Sequence, residues 1–187
     1  MPNVALQDGK VILKDGNVSC TCCGGVVCPP ITSEYNVISE EMYNALQAGG
    51  SYSATGYGSE YTGCAFSGTS SGTIASGNCG ASVGVSGGVT CTIGGVSYNS
   101  QIYIGWSIAQ VGSEYRFTYY GGGSCFSGIY PGQCYTVGFF IGWFYDNISG
   151  FGTNVGTATI TTSAGSMSFG IWNLDFSATA GLDITIS

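Results

Sequence analysis

Four of the chain's nine cysteines, Cys20, Cys22, Cys23 and Cys28, fall within nine positions. Thiolates this close together can hold a zinc ion, or they can build disulfides. Zinc knuckles space their paired ligands by about two to four residues. Here the intervening residues number one, none and four. Alternation along an extended chain turns Cys20 and Cys22 to one face and Cys23 to the other. A vicinal Cys22–Cys23 bridge is strained, so bridges to Cys28 or to the main body are easier. Disulfides are therefore expected, and no metal. Cys64, Cys79, Cys91, Cys125 and Cys134 are the remaining candidates, and an odd total leaves at least one thiol free or bonded to another chain.

Cys125 and Cys134 enclose eight residues, including Pro131-Gly132, a natural central pair for a type II turn. Strand-like segments flank them, so a disulfide-closed loop is expected. Phe126, Ile129 and Tyr130 lie close to that turn and are candidates for a contact surface.

Other catalytic chemistry has little to work with. The chain has no histidine. This removes Ser-His-Asp and Cys-His nucleophile systems, His-ligated metals and zinc deaminase signatures. GxSxG occurs as GTSSG (68–72) and GVSGG (84–88), but no base exists to activate either serine. No glycine-rich loop carries a lysine, so there is no P-loop cradle. A glycosidase needs two carboxylates. Glu60, Glu114, Asp146, Asp175 and Asp183 are present, and nothing in their spacing pairs any two. Calcium lacks its acidic loop. The chain reads as a non-enzyme without a cofactor.

Charge narrows the partners. Only Lys10, Lys14 and Arg116 are basic, and the net charge is −7. A nucleic-acid groove needs several phosphate-neutralising cations, and an anionic membrane surface has the same need. Neither partner is expected. The longest apolar run, VGFFIGWFY at 137–145, is too short to span a bilayer, which takes about 20 helical residues, and reads as a buried strand. The N-terminus shows no basic segment followed by an apolar one, as a signal peptide would. Cysteine richness without an export signal is expected either of a chain whose signal was removed and starting Met restored, or of a particle assembled in a host cytoplasm that functions outside it.

The elements that would position these groups are mostly strands. Charged residues make up 7% of the chain against a usual share of about 25%, so hydroxyls, amides and glycine must form the surface. In NVALQ-DG-KVILK-DG-NVSCT the Asp8-Gly9 and Asp15-Gly16 dipeptides suit type I′ turns and predict a three-strand meander, marginal by itself. Pro29-Pro30 closes this segment as a rigid linker. ISEEMYNALQAGG (38–50) predicts one helix: Ser39 caps it, Glu40 and Glu41 favour its dipole, Ile38, Met42, Ala45 and Leu46 form its stripe, and Gly49 ends it.

From residue 51 onward apolar residues alternate. Ile102, Ile104, Trp106 and Ile108 share a face, as do Tyr115, Phe117 and Tyr119, and Leu182, Ile184 and Ile186. TATITT alternates likewise. In SMSFGIWNLDF the apolar register slips by one, which predicts a bulge near Gly170–Trp172. The expected fold is all-β: an antiparallel β-sandwich of seven to nine strands, jelly-roll-like, with a shallow barrel as the alternative. It divides into an N-terminal arm (1–30), a linker with the helix (31–50) and the sandwich (51–187).

The opening VALQDGKVILKDGNVSCTCCGG resembles the N-termini of small virion proteins of tailed bacteriophages, which begin with short L-x-D-G-K-V repeats followed by clustered cysteines. The resemblance covers about the first 25 residues. It implies a structural role: a variable β domain attached to a head or tail fibre through a common N-terminal element. The expected partners are other virion proteins and copies of the chain, with a host-surface glycan as a further candidate. The competing expectation is a secreted or cell-surface carbohydrate-binding module, because the chain's tyrosines and tryptophans can stack on sugars. Trp106, Trp143 and Trp172 sit in apolar strand contexts and also read as core.

Overall fold

The structure, a computed structural model, describes residues 4–7, 10–13, 18–21, 26–32, 34–59, 65–90, 97–123, 126–127, 134–135, 153–173 and 179–187. Side chains are described for 26–32, 34–59, 65–88, 101–122, 153–172 and 179–187.

The arm is the expected meander. Strands β1 (Val4–Gln7), β2 (Lys10–Leu13) and β3 (Val18–Thr21) form a three-stranded antiparallel sheet of their own. Gln7 pairs with Lys10, so two residues join β1 to β2, as a Asp-Gly hairpin requires. The turn residues themselves lie outside the described residues.

The remaining long strands make one nine-stranded sheet. These are β4 (Asn36–Ile38), β5 (Gly50–Ser59), β6 (Ala65–Ile74), β7 (Gly80–Thr90), β8 (Ser97–Val111), β9 (Glu114–Gly123), β12 (Thr153–Thr162), β13 (Gly165–Asn173) and β14 (Thr179–Ile186). A separate pair, β10 (Phe126–Ser127) and β11 (Cys134–Tyr135), flanks residues 128–133. The order in the large sheet is β13-β12-β14-β5-β6-β7-β8-β9-β4.

This sheet folds over itself as a sandwich. The β6–β7 ladder contains only two pairs, Ala65↔Thr90 and Phe66↔Val89, whereas β5–β6 pairs along its whole length. The sheet turns its corner there. Its two ends then meet face to face: Phe117 of β9 stacks on Phe169 of β13 at 5.4 Å. At Gly56 of β5 a Cβ would come within 2.9 Å of Ile102 on β8, so only glycine lets the layers close at that point. Between them lies one core. Ala158, Ile160, Ile171, Leu182 and Ile184 come from one side, and Val83, Val85, Ile102, Ile104, Ile108 and Phe117 from the other, all essentially sealed from water. At about 25 cal/mol per Å² of apolar surface, this burial is the main stabilising term.

The predicted alternations are the ones observed. Ile102, Ile104, Trp106 and Ile108 are buried together, as are Leu182, Ile184 and Ile186. Trp172 packs partly buried against the core. Trp143 and the 137–145 run lie outside the described residues.

The predicted slip in β13 is real, but the extra residue is on its partner. Asn154 pairs with Trp172 and Gly156 with Ile171, leaving Val155 as the bulge. Gly156 is needed there, because a Cβ would collide with the Ala180 carbonyl of β14. From Gly156 onward β12 and β14 run parallel, an exception to the antiparallel rule followed elsewhere in the sheet. The connectivity is a meander through β5–β9. Long connections are confined to the helical passage before β5 and the passage between β9 and β12.

Helix α1 (Glu40–Ala48) packs into the sandwich rather than standing apart with a linker. Ser39 Oγ accepts from the Met42 amide at 3.2 Å, and Gly49 with φ +65° ends the helix. Met42, Tyr43 and Leu46 enter the core, and the Thr162 hydroxyl donates to Met42 Sδ. Asn36–Ile38, also assigned to the linker, is an edge strand paired with β9.

Composition finds its reason on the outer faces. Three outward tyrosines oppose glycines across the ladder: Tyr57 with Gly181, Tyr103 with Gly122, and Tyr120 with Gly105. Each ring lies against the bare backbone, so these glycines are buried although they point outward.

Candidate functional site

Residues 26–32 and 34–38 belong to a strap between the arm and the sandwich, and it is fastened at several points. Cys28 is bonded to Cys79, just before β7, with Cα atoms 5.1 Å apart. This is one of the two kinds of bridge expected of the cluster, the one to the main body. It also removes Cys28 from any four-thiolate zinc site. The positions of Cys22, Cys23, Cys64, Cys91 and Cys125 lie outside the described residues, as do the side chains of Cys20 and Cys134.

Further along, Arg116 on β9 holds the strap. Its Nη1 donates to the Ile31 carbonyl at 2.7 Å, while Nε and Nη2 both donate to Glu114 Oε2, at 3.0 and 2.7 Å. The guanidinium lies 4.1 Å from the centre of the Tyr35 ring, and the Tyr35 hydroxyl donates to the same Glu114 oxygen at 3.2 Å. Hydrogen bonds from Arg116 first, and then from Tyr35, hold the Glu114 carboxyl below its ordinary pKa. Glu114 is thus committed to an ion pair. Asp183 stands exposed on β14, and Glu60, Asp146 and Asp175 lie outside the described residues. Sequence reasoning missed the Arg116 fork because Ile31 is 85 positions away.

The strap, helix α1 and the β8–β9 hairpin border an open cleft of about 440 Å³. One face of α1 supplies Glu40, Tyr43, Asn44 and Gln47, which helical spacing brings into line. The hairpin supplies Gln110, Tyr115 and Gly112, whose φ of +63° suits the turn. Val26, Val27 and Cys28 form the rim, and Val27 is 92% exposed.

The wall of the cleft is pre-ordered. Gln47 Nε2 donates to the Tyr43 hydroxyl and Gln110 Nε2 to the Gly112 carbonyl, each at 3.4 Å. The Tyr43 and Tyr115 rings lie 5.0 Å apart. Burial, and then a hydrogen bond to Glu40, raise the Tyr115 phenol above its ordinary pKa. Of these residues the sequence reading had singled out only Cys28, Glu40 and Tyr115, and those for other reasons. The signal available was polar spacing on the exposed side of α1, which an ordinary solvated helix face shares.

No family of proteins, curated protein or solved structure matches the chain. Among the described residues no three of His, Cys, Asp or Glu gather as a metal group, and no helix is long and apolar enough to cross a membrane. Ser70 of GTSSG has its hydroxyl buried in β6 without a hydrogen-bond partner among the described residues, and Ser86 of GVSGG is exposed on β7. The expected Cys125–Cys134 loop falls partly outside the described residues. Where it is described, Ser127 pairs with Cys134 and Phe126 with Tyr135. Ile129, Tyr130 and the side chain of Phe126 lie outside.

Proposed function

We propose that this chain is a non-catalytic structural component of a virus-particle surface, of head-decorating or tail-fibre type, attached through its N-terminal arm. One observation carries the reading. Strands β1, β2 and β3 form a three-stranded sheet that, among the described residues, pairs with no strand of the nine-stranded sheet, yet the strap that follows is bonded to the sandwich. Three strands of only four residues make a small sheet, marginal by itself, and on this reading the arm gains its stability from a partner. Other particle proteins or further copies of the chain are the natural partners, and neither nucleic acid nor membrane is required.

The full chain should form a higher-order assembly in light scattering, and mass spectrometry of particles purified from its source should detect it. A chain starting at residue 26 keeps Cys28 and should stay monomeric with an unchanged β-type circular dichroism spectrum. Equal assembly by the two chains would overturn the anchoring role. The second reading, a secreted or cell-surface carbohydrate-binding module, draws its support from the amide-lined cleft. Absence of the chain from particles would favour it.

A further inference from the structure

We infer that the cleft beneath the strap binds an N-acetylated amino sugar. Among the described residues the lining carries no Lys, Arg or His, so no cation there receives a phosphate or carboxylate. It does carry three primary amides, Asn44, Gln47 and Gln110. Each offers both donors and acceptors, the combination that sugar hydroxyls need, since every hydroxyl both gives and receives. The Tyr115 ring adds an aromatic surface for the C–H face of a pyranose ring.

The rim narrows the class further. Val26 and Val27 are 51% and 92% exposed beside those amides. Exposed branched apolar side chains next to amide groups match an acetamido substituent, which has a methyl at one end and a peptide-like amide at the other. A plain hexose leaves the valines uncovered. Among the described residues Glu40 is the one ionised side chain in that lining, so a cation is the competing occupant, and arginine methyl ester tests for it.

The volume of about 440 Å³ lies in the range of small-ligand sites. The walls are set before binding: the Cys28–Cys79 bond holds the strap, and Gln47 and Gln110 are already oriented. Such ordering lowers the entropy lost when ligand arrives. The inference is independent of the arm's role, since every residue it uses belongs to the strap, α1 or the β8–β9 hairpin.

The test is a titration of the full chain by ¹⁵N–¹H NMR. The probes are N-acetylglucosamine, N-acetylgalactosamine, glucose, galactose and arginine methyl ester. At least one N-acetyl sugar should move the side-chain amide signals of Asn44, Gln47 and Gln110 saturably, with glucose and galactose about tenfold weaker or worse. Asn44→Ala and Gln110→Ala replace exposed side chains, so the fold should survive while binding falls by about tenfold or more. Absence of saturable shifts with both N-acetyl sugars overturns the inference. So does equal binding of the plain hexoses, stronger binding of the arginine ester, or undiminished binding by both variants.

Discussion

The sandwich core and the strap are held by opposite kinds of force. In the core, contacts such as Phe117 on Phe169 and Gly56 under Ile102 are close but undirected, and many residues share the work. In the strap, a few directed links do nearly everything: one disulfide, one guanidinium fork and one short edge strand. The core tolerates rearrangement so long as volume and alternation are kept. The strap does not, because each link has specific partners. Burial supplies overall stability, while directed bonds supply position.

The largest effect should come from the core. Phe117 is wholly buried and stacks on the far layer, so Phe117→Ala should cost about 3–5 kcal/mol. Denaturant unfolding should show it as a lower midpoint for the whole domain. A cost under about 1 kcal/mol would mean that the layers can collapse around the gap.

Next is Cys28→Ser. The bond it removes closes a separation of 51 residues, worth about 2–4 kcal/mol on the chain-entropy account. The spectroscopic signature of the folded sandwich should persist, while chymotrypsin should gain access at Tyr35. Unchanged proteolysis would show that Arg116 and β4 suffice to hold the strap.

The smallest effect is a dependence on pH. Glu114 has its folded pKa lowered by Arg116 and Tyr35. Its contribution is present above the unfolded carboxylate pKa, about 4.3, and is lost as pH falls through the lower folded value. The pair is half open to solvent on the Glu114 side, so the effect should be local. The Tyr35 ring resonances should titrate with a midpoint below the usual carboxylate range, and Glu114→Gln should abolish that titration. A midpoint at the ordinary value would dissolve the fork as a fastener.

Much of this was legible before any fold was seen. Helix α1 was predicted to its cap at Ser39 and its end at Gly49, because capping chemistry is local. The faces of β8, β9, β12 and β14 followed from alternation, because successive side chains in a strand must point opposite ways. The slip in β13 was visible as a change of register, but not that its partner β12 would take up the extra residue at Val155. The cleft was not legible at all. Its amides come from α1 and from the far end of β8, and nothing in either stretch refers to the other.

The sequence by itself determined which residues face inward, where the helix starts and stops, that the N-terminal segment is a meander, and that charge would play almost no part in the surface. Tertiary structure decided which strands are neighbours, including the parallel placement of β14 beside β12, the choice of Cys79 as the partner of Cys28, and the use of Arg116 to grip Ile31. The physical reason is one of range. Alternation, capping and turn chemistry act within a few residues and are written in adjacent side chains. Strand pairing uses backbone hydrogen bonds that any two strands can make, so the choice among neighbours falls to packing between residues far apart in the chain.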